Sequence, residues 1–408
     1  MKKNSSLAIL LLIVCIDIIG LGLVLPLFAP MLFGKDFSLV SPETSNGTRG
    51  FYFGVLIALF SIGQFLSSPI LGKFSDRFGR KKILVFCLLI GILANGISAI
   101  GVLYQNLYLL YISRALIGFS AGSAAVVEAA LVDISSTPAE KTKYFGYFNA
   151  AMGIGFTIGP FLGGIFSSIS SFKLYGFVIP FLFGVLINLL ALFPVLLFYK
   201  ESHLICKIKK SSSFVSSSDL RKIFKIKGMA VLLSCMFFYF LGWGVYFEFV
   251  SVYLIKKYHF DPLHIGYFYG YSALLYALFS STLITPIVNQ LGTKNALLYS
   301  TFLAGLVAFI LLFIQDPFFV WFFLPPFIFL LTFPPPTSTT LVSNLVEQDM
   351  QGEALGIYQS VQCIAWAAAP LIFGAVIGIY SSMPIVIGGS ILILSALLYG
   401  IYNLLERK

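Results

Sequence analysis

Twelve times between residues 7 and 404 the chain runs for about twenty residues with almost no charge, the length a helix needs to cross a hydrocarbon layer about 30 Å thick. The runs cover residues 7–33, 51–71, 83–103, 108–132, 144–166, 176–199, 229–254, 264–288, 296–314, 318–341, 353–378 and 384–404. In lipid no water is at hand for an open backbone group, so only helices or a closed barrel can cross. These runs lack the alternation of a barrel strand, and the expected fold is all-α, with twelve transmembrane helices. Apolar residues make up 59% of the chain and charged ones 10%, which excludes a soluble domain because too little polar surface exists to cover the rest. The first run follows Lys2 and Lys3, but it is too long for a signal peptide and no small-residue cleavage site follows, so it reads as a retained span.

Charge sets the orientation. With the N-terminus inside, the inner segments hold Lys2, Lys3, five basic residues in 72–82, Lys141, Lys143, eight in 200–228, Lys294, Arg407 and Lys408, while the outer ones hold only Lys35, Arg49, Lys173, Lys256 and Lys257. That asymmetry places both termini in the cytoplasm. The net charge of +10 then reflects topology and anionic lipid, with no nucleic acid implied. The longest interruption, the basic and serine-rich stretch 200–228, divides the chain into residues 1–199 and 229–408, six spans each, and reads as a cytoplasmic linker. The halves carry a faint repeat. At an offset of 210, Gly146, Pro160 and Gly164 fall on Gly356, Pro370 and Gly374; at 213, Gly79 and Lys81 fall on Gly292 and Lys294, while Asp76 becomes Asn289. Two pseudo-symmetric six-helix bundles are the architecture expected of such a duplication.

Five cysteines show no C-x-x-C spacing and three histidines are scattered, so neither a disulfide framework nor a metal site is expected, and no cofactor is. Chemistry instead concentrates in four ionisable residues inside spans, Asp17, Arg114, Glu128 and Glu248. Each costs about 2.5 to 3.5 kcal/mol at mid-bilayer and is a candidate for binding protons or substrate. Asp17 lies ten residues into its span, about 15 Å along a helix and near the midplane; structural pairing is the alternative there. Arg114 and Glu128, fourteen residues apart, return to within about 40° of one helix face. Both could line one cavity, with Arg114 setting the proton affinity of a carboxylate. Glu248, toward the outer end of its span beside Trp243 and Tyr246, reads as a gate or cation contact, or as an interfacial carboxylate that snorkels. Tyr239, Trp243, Phe247, Tyr267, Tyr271 and Trp366 could wall an apolar cavity, and the run Phe333 to Thr340 reads either as a hinge or as a helix end.

Four local patterns together resemble the major facilitator superfamily. The segment "GKFSDRFGRKK" carries Gly72, Asp76, Arg77, Gly79, Arg80 and Lys81 in the register of its signature between spans two and three; "RALIGFSAG" has Arg114, Gly118 and Gly122 at the spacing of its fourth-span motif. "GIGFTIGPFLGG", with Gly155, Gly159, Pro160, Gly163 and Gly164, is similar to the fifth-span motif of its proton-driven antiporters, and "DIIGLGLVLP" from Asp17 to the first-span motif of its twelve-span drug:proton antiporters, the tetracycline efflux proteins among them. The positive-inside pattern accounts for the five bases of the first segment but not for Asp76. The resemblance implies that Asp76 pairs with Arg80 and with Asp133 at the inner end of span four, and faces the N-terminus of span eleven, as a latch between the halves. Gly72 and Gly79 are expected to permit a tight turn. Ala365, Ala369 and Phe373 stand where Gly155, Gly159 and Gly163 repeat, so the close-contact face is a first-half feature. Glu128 departs from the fourth-span pattern, as a feature of this substrate or as a pairing partner near the inner mouth.

The resemblance implies a monomeric proton-coupled secondary transporter in the bacterial inner membrane, not an enzyme, which exports a small amphiphilic compound or drug by alternating access. Its partners are that substrate, protons and the bilayer. Proton-driven uptake of a nutrient, such as an amino acid, is the alternative on the same fold; a polytopic membrane enzyme would need clustered catalytic groups that the sequence lacks.

Overall fold

The computed structural model describes residues 2–34, 37–168, 173–201, 226, 228–346 and 350–406. The linker 200–228 therefore lies outside the described residues apart from four positions, and so do Lys35, Arg407 and Lys408. Among the described residues, eleven helices are long and apolar enough to cross a membrane, and a bent pair counted as one span makes a twelfth. In chain order they are α1 (Ser5–Phe33), α2 (Asn46–Phe78), α3 (Arg80–Leu103), α4 (Leu107–Ile134), α5 (Lys143–Ser168), α6 (Leu174–Leu197), α7 (Met229–Tyr258), α8 (Pro262–Thr282, then Ile284–Leu291 after a 55° bend), α9 (Thr293–Phe313), α10 (Pro317–Asn344), α11 (Ala354–Val376) and α12 (Met383–Leu404). Each of the twelve apolar runs is one of these spans. The protein is an all-α, multi-pass integral membrane protein.

The chain separates into two compact units, Met1–Lys209 with His259–Ala273, and Lys210–Tyr258 with Leu274–Lys408. In the first, Leu10 and Ile13 of α1, Leu84 and Leu88 of α3, Val126 and Val127 of α4 and Ala191 of α6 share one buried cluster. Lipid tails are as apolar as leucine, so close packing and hydrogen bonds hold such helices together. The α3–α6 contact is built that way and is reciprocal. Asn95 donates to Gly91 O and Asn188 to Gly184 O, each at 2.8 Å. A Cβ on Gly184 would fall 2.5 Å from Asn95 Oδ1, and one on Gly91 2.7 Å from Asn188 Oδ1. Each asparagine thus fills the slot left by the other helix's glycine. Outside the bundle, Arg49 ties the α1–α2 connection, its guanidinium donating to the carbonyls of Leu32, Ser41, Pro42 and Thr44.

In the second unit a Cβ on Gly242 of α7 or on Gly388 of α12 would lie 2.9 Å from the other residue's carbonyl oxygen, and Ser395 donates to Cys235 O at 2.6 Å. Side chains of α7 take the last carbonyls of α9, which have no N–H partners of their own, and that of Ile314 just past it: Leu311 O by Tyr253, Leu312 O by Lys257 and Ile314 O by Tyr258. The proline run does not end α10. Its helical segment Val320–Leu331 gives way at Thr332 and Phe333, and a second, Pro334–Asn344, begins with proline at its first turn. Pro335 has no N–H to offer Leu331 O, which lies buried. The Tyr239 hydroxyl of α7 donates to it at 2.9 Å.

An orphaned buried acceptor costs about 1–3 kcal/mol. Tyr239→Phe is accordingly expected to lower the melting temperature of the detergent-solubilised protein by several degrees, while Tyr108→Phe, at a ring 77% exposed, leaves it unchanged.

Candidate functional site

Four glycines decide where Asp17 points. A Cβ on Gly155 would sit 2.7 Å from Cys15 O, one on Gly159 2.8 Å from both Ile19 O and Gly22 Cα, and one on Gly163 would overlap Leu23 O; on the other side, Gly22 has no room for a Cβ beside Pro160. Gly155, Gly159 and Gly163 recur every four residues and so form one face of α5, laid backbone to backbone against α1. This seam occupies the Cys15, Ile19 and Gly22 side of α1 and turns the neighbouring Asp17 toward α4. There Ser123 Oγ donates to Asp17 Oδ2 at 2.5 Å. Asp17 itself is half-buried. Gly164 points elsewhere: its Cβ would be 3.0 Å from Pro262 O and 3.1 Å from Gly266 Cα on α8, and Phe161 stacks near Tyr267 at 5.7 Å between centroids.

Arg114 and Glu128 are not brought together. Their separation is about 21 Å along a helix, and α4 is interrupted at Gly122, where a Cβ would overlap Ser67 Oγ. The Arg114 guanidinium instead lies 5.1 Å from the Phe28 ring centroid and 4.9 Å from that of Phe60, and donates to Leu56 O at 3.3 Å, while its Nη1 is buried without a hydrogen-bond partner. Cation–π attraction to these two rings is what meets the guanidinium charge. Glu128 is exposed on the surface of its unit.

The segment 72–82 differs in detail from its reading. α2 continues to Phe78, so Gly72 is helical and only Gly79, at φ +95°, makes the turn. Gly292, at φ +78°, repeats it in the second unit. Nor do Asp76 and Asp133 pair with one another; two carboxylates repel, and both converge on Arg80. Its Nη1 is 2.6 Å from Asp76 Oδ1 and its Nε 3.0 Å from Asp133 Oδ2. Arg80 is 5% exposed and Asp76 63%, which makes the Asp133 contact the one shielded from solvent and the Asp76 contact a weak one. Ser75 receives a further bond from Arg80 and donates to Gly72 O at 2.7 Å.

One participant was not legible as such. Glu201, just past α6, accepts from the backbone N–H of Arg80 at 2.8 Å and of Lys81 at 3.1 Å. It caps the α3 N-terminus, where Gly79 offers no side chain and where the helix dipole favours an acid. A Cβ on Gly79 would overlap Glu201 Oε2. Glu201, like Asp76, is an acid beside bases, and that was the only signal available.

Glu248 does not reach an interface. It is buried, 7% exposed, and its Oε2 has no hydrogen-bond partner. Of the aromatic residues read as a wall, Trp243 meets Tyr239, Phe247 and Trp366, and also Tyr276, stacked at 5.9 Å; Tyr267 belongs to the first unit.

Two tests follow from these contacts. Gly159→Leu should sharply lower the folded, membrane-inserted yield, since the opposing atoms are backbone, whereas Gly146→Ala, with open space around it, should leave the yield unchanged. Glu201→Ala removes a helix cap worth about 1 kcal/mol. Hydrogen exchange at the amides of residues 80–81 should quicken several-fold, with the middle of α3 unaffected.

Comparison with known proteins agrees with this geometry. The family model described as Major Facilitator Superfamily matches residues 10–370. The chain is 28% identical over 407 residues to the class H tetracycline resistance protein of Pasteurella multocida, covering 97% of this chain and 94% of that one. It is 29% identical over 315 residues to multidrug resistance protein 2 of Bacillus subtilis (strain 168), covering 76% and 73%. Among solved structures, a D-xylose–proton symporter superposes with a TM-score of 0.77 at 14% identity, covering 98% of this chain and 97% of that one. Twelve spans, the seam of α1 and α5, the Arg80 cluster and these matches have one reading: the chain belongs to the major facilitator superfamily of transporters, which are not enzymes.

Proposed function

We propose that the protein is a proton-coupled exporter of a small amphiphilic compound, working by alternating access from a cytoplasmic membrane with both termini in the cytoplasm. The observation that carries this reading is Asp17, a carboxyl half-buried in mid-span and held by Ser123 at 2.5 Å. A carboxyl so placed gains or loses a proton as its surroundings change, and protonation that competes with substrate couples the two fluxes. The near full-length likeness to tetracycline resistance proteins supports export. Arg80, Asp76 and Asp133 serve as the latch, with Arg80 at its centre and Glu201 bracing the helix that carries it. Fold alone does not name the cargo.

Inverted membrane vesicles energised with an acid interior test the reading. Wild type is expected to accumulate a fluorescent amphiphile such as ethidium and to lose it on addition of an uncoupler. Asp17→Asn should cut the gradient-driven component at least tenfold while sparing exchange of substrate in the absence of a gradient. Normal coupling in the variant removes Asp17 from the mechanism.

A further inference from the structure

The repeated turn is finished differently in the two units. In the first, Glu201 fills the space behind Gly79 and caps α3, and Lys81 Nζ donates to Leu196 O of α6 at 2.8 Å. In the second, Gly292 and Lys294 stand at the repeat of Gly79 and Lys81. No side chain caps α9 there, and a Cβ on Gly292 would meet nothing within 4 Å. Between the first turn of α9 and the last turns of α12 lies a cavity of about 430 Å³, lined by Lys294, Asn295, Leu298, Tyr299, Asn403 and Leu404. Its origin is in the packing of the two helices. At Gly305 and Gly389 they meet main chain to main chain, a Cβ on the first falling 2.8 Å from Gly389 O and one on the second 3.0 Å from Gly305 O. About three turns on, at Gly400, the nearest atom to such a Cβ is a Leu298 methyl carbon at 3.4 Å. The seam has opened, and Gly400, also part of the cavity wall, leaves the gap unfilled.

The lining combines an ammonium group, two carboxamides and a phenol, with no acid among the described residues. Asn403 Oδ1 is buried and has no hydrogen-bond partner, and such an acceptor is rarely left unmet. Lys294 is the second residue of α9 and Leu404 the last of α12, so the cavity lies where the spans leave the membrane. Leu303 and Leu306 follow Tyr299 by four and seven residues, and Leu397 and Ile401 precede Leu404 by seven and three. These positions share faces with the cavity wall, are all exposed, and continue from it toward mid-membrane as an apolar path. A cation with amide groups at the membrane boundary, at the head of an apolar path, suits a phosphodiester that carries acyl chains. A detached phosphate would have no use for the path.

We propose that this cavity binds the headgroup of an anionic, hydroxyl-bearing glycerophospholipid such as phosphatidylglycerol. The phosphate lies against Lys294 and the uncapped N–H groups of the first turn of α9, in the role that the Glu201 carboxylate has in the first unit. A glycerol hydroxyl donates to Asn403 Oδ1, and the acyl chains follow the exposed leucines of α9 and α12. That the leaflet is the cytoplasmic one rests on the orientation proposed above; the binding does not.

Native mass spectrometry of the full-length protein in detergent, titrated with phosphatidylglycerol and with phosphatidylcholine of the same chains, tests the site. The anionic lipid is expected to bind at least fivefold more tightly, about what one lysine contributes at an anionic surface. Lys294→Gln should bring the two lipids level, while Lys143→Gln, at an exposed lysine of the first unit, should keep the preference. A wild type without preference, or a Lys294→Gln protein that retains it, overturns the proposal. Hydrogen exchange on wild type needs no variant. Phosphatidylglycerol should slow exchange at the amides of residues 293–295 at least threefold relative to phosphatidylcholine, with residues 80–81, already capped by Glu201, unchanged. Amides 293–295 that do not respond overturn the proposal, and so does equal slowing by inorganic phosphate at the same concentration, which would mark a simple anion site. Neither experiment involves a proton gradient or a transported compound, so a failure of coupling at Asp17 and a failure of this site are separate results.

Discussion

Backbone against backbone, with no side chain between, is the contact on which the first unit rests. Gly155, Gly159 and Gly163 bring α5 so near α1 that a methyl group at any of them would meet a main-chain atom. Main chain cannot step aside as a side chain can, so the seam fixes both the distance and the rotation of α1. Asp17 inherits its direction from that fit, and Ser123 completes it. The α3–α6 contact, where each asparagine fills the other helix's glycine slot, follows the same logic with polar groups. In a solvent as apolar as the protein, such fits do the work that burial does in water.

Charge is handled by a different economy. Arg114 and Arg80 are both nearly buried, and they are satisfied by unlike means. Arg114 lies near two phenylalanine rings and donates to a carbonyl. Arg80 collects two carboxylates and a serine at the end of α2, and its own main chain is held by Glu201. The first arrangement suits a helix interior, where a counter-charge would have to be carried in; the second suits a boundary, where one partner can remain in water. Glu248 has neither.

The spans and the turn at Gly79 were legible because both are local: twenty apolar residues are their own evidence, and a glycine after a helix marks a positive φ. The site was legible in part. Asp17 stood out as a charge among apolar neighbours, but Ser123 did not, because a hydroxyl in a helix costs little and so attracts no notice. Glu201 and Tyr239 act on partners 121 and 92 residues away, and no periodicity reports such a pairing. Arg114 and Glu128 share a helix face by phase, about 21 Å apart along it, but what meets Arg114, the rings of Phe28 and Phe60 and the Leu56 carbonyl, lies on other helices that spacing does not report.

The Tyr239 hydroxyl bridges two helices at a place where α10 has surrendered a rung of its internal ladder. A bend that opened or closed α10 at Leu331 would have to carry the phenol with it or strand a carbonyl in hydrocarbon. Flexing of α10 and displacement of α7 are thereby a single mechanical event, and the three prolines that look like weakness in one helix act as a linkage between two.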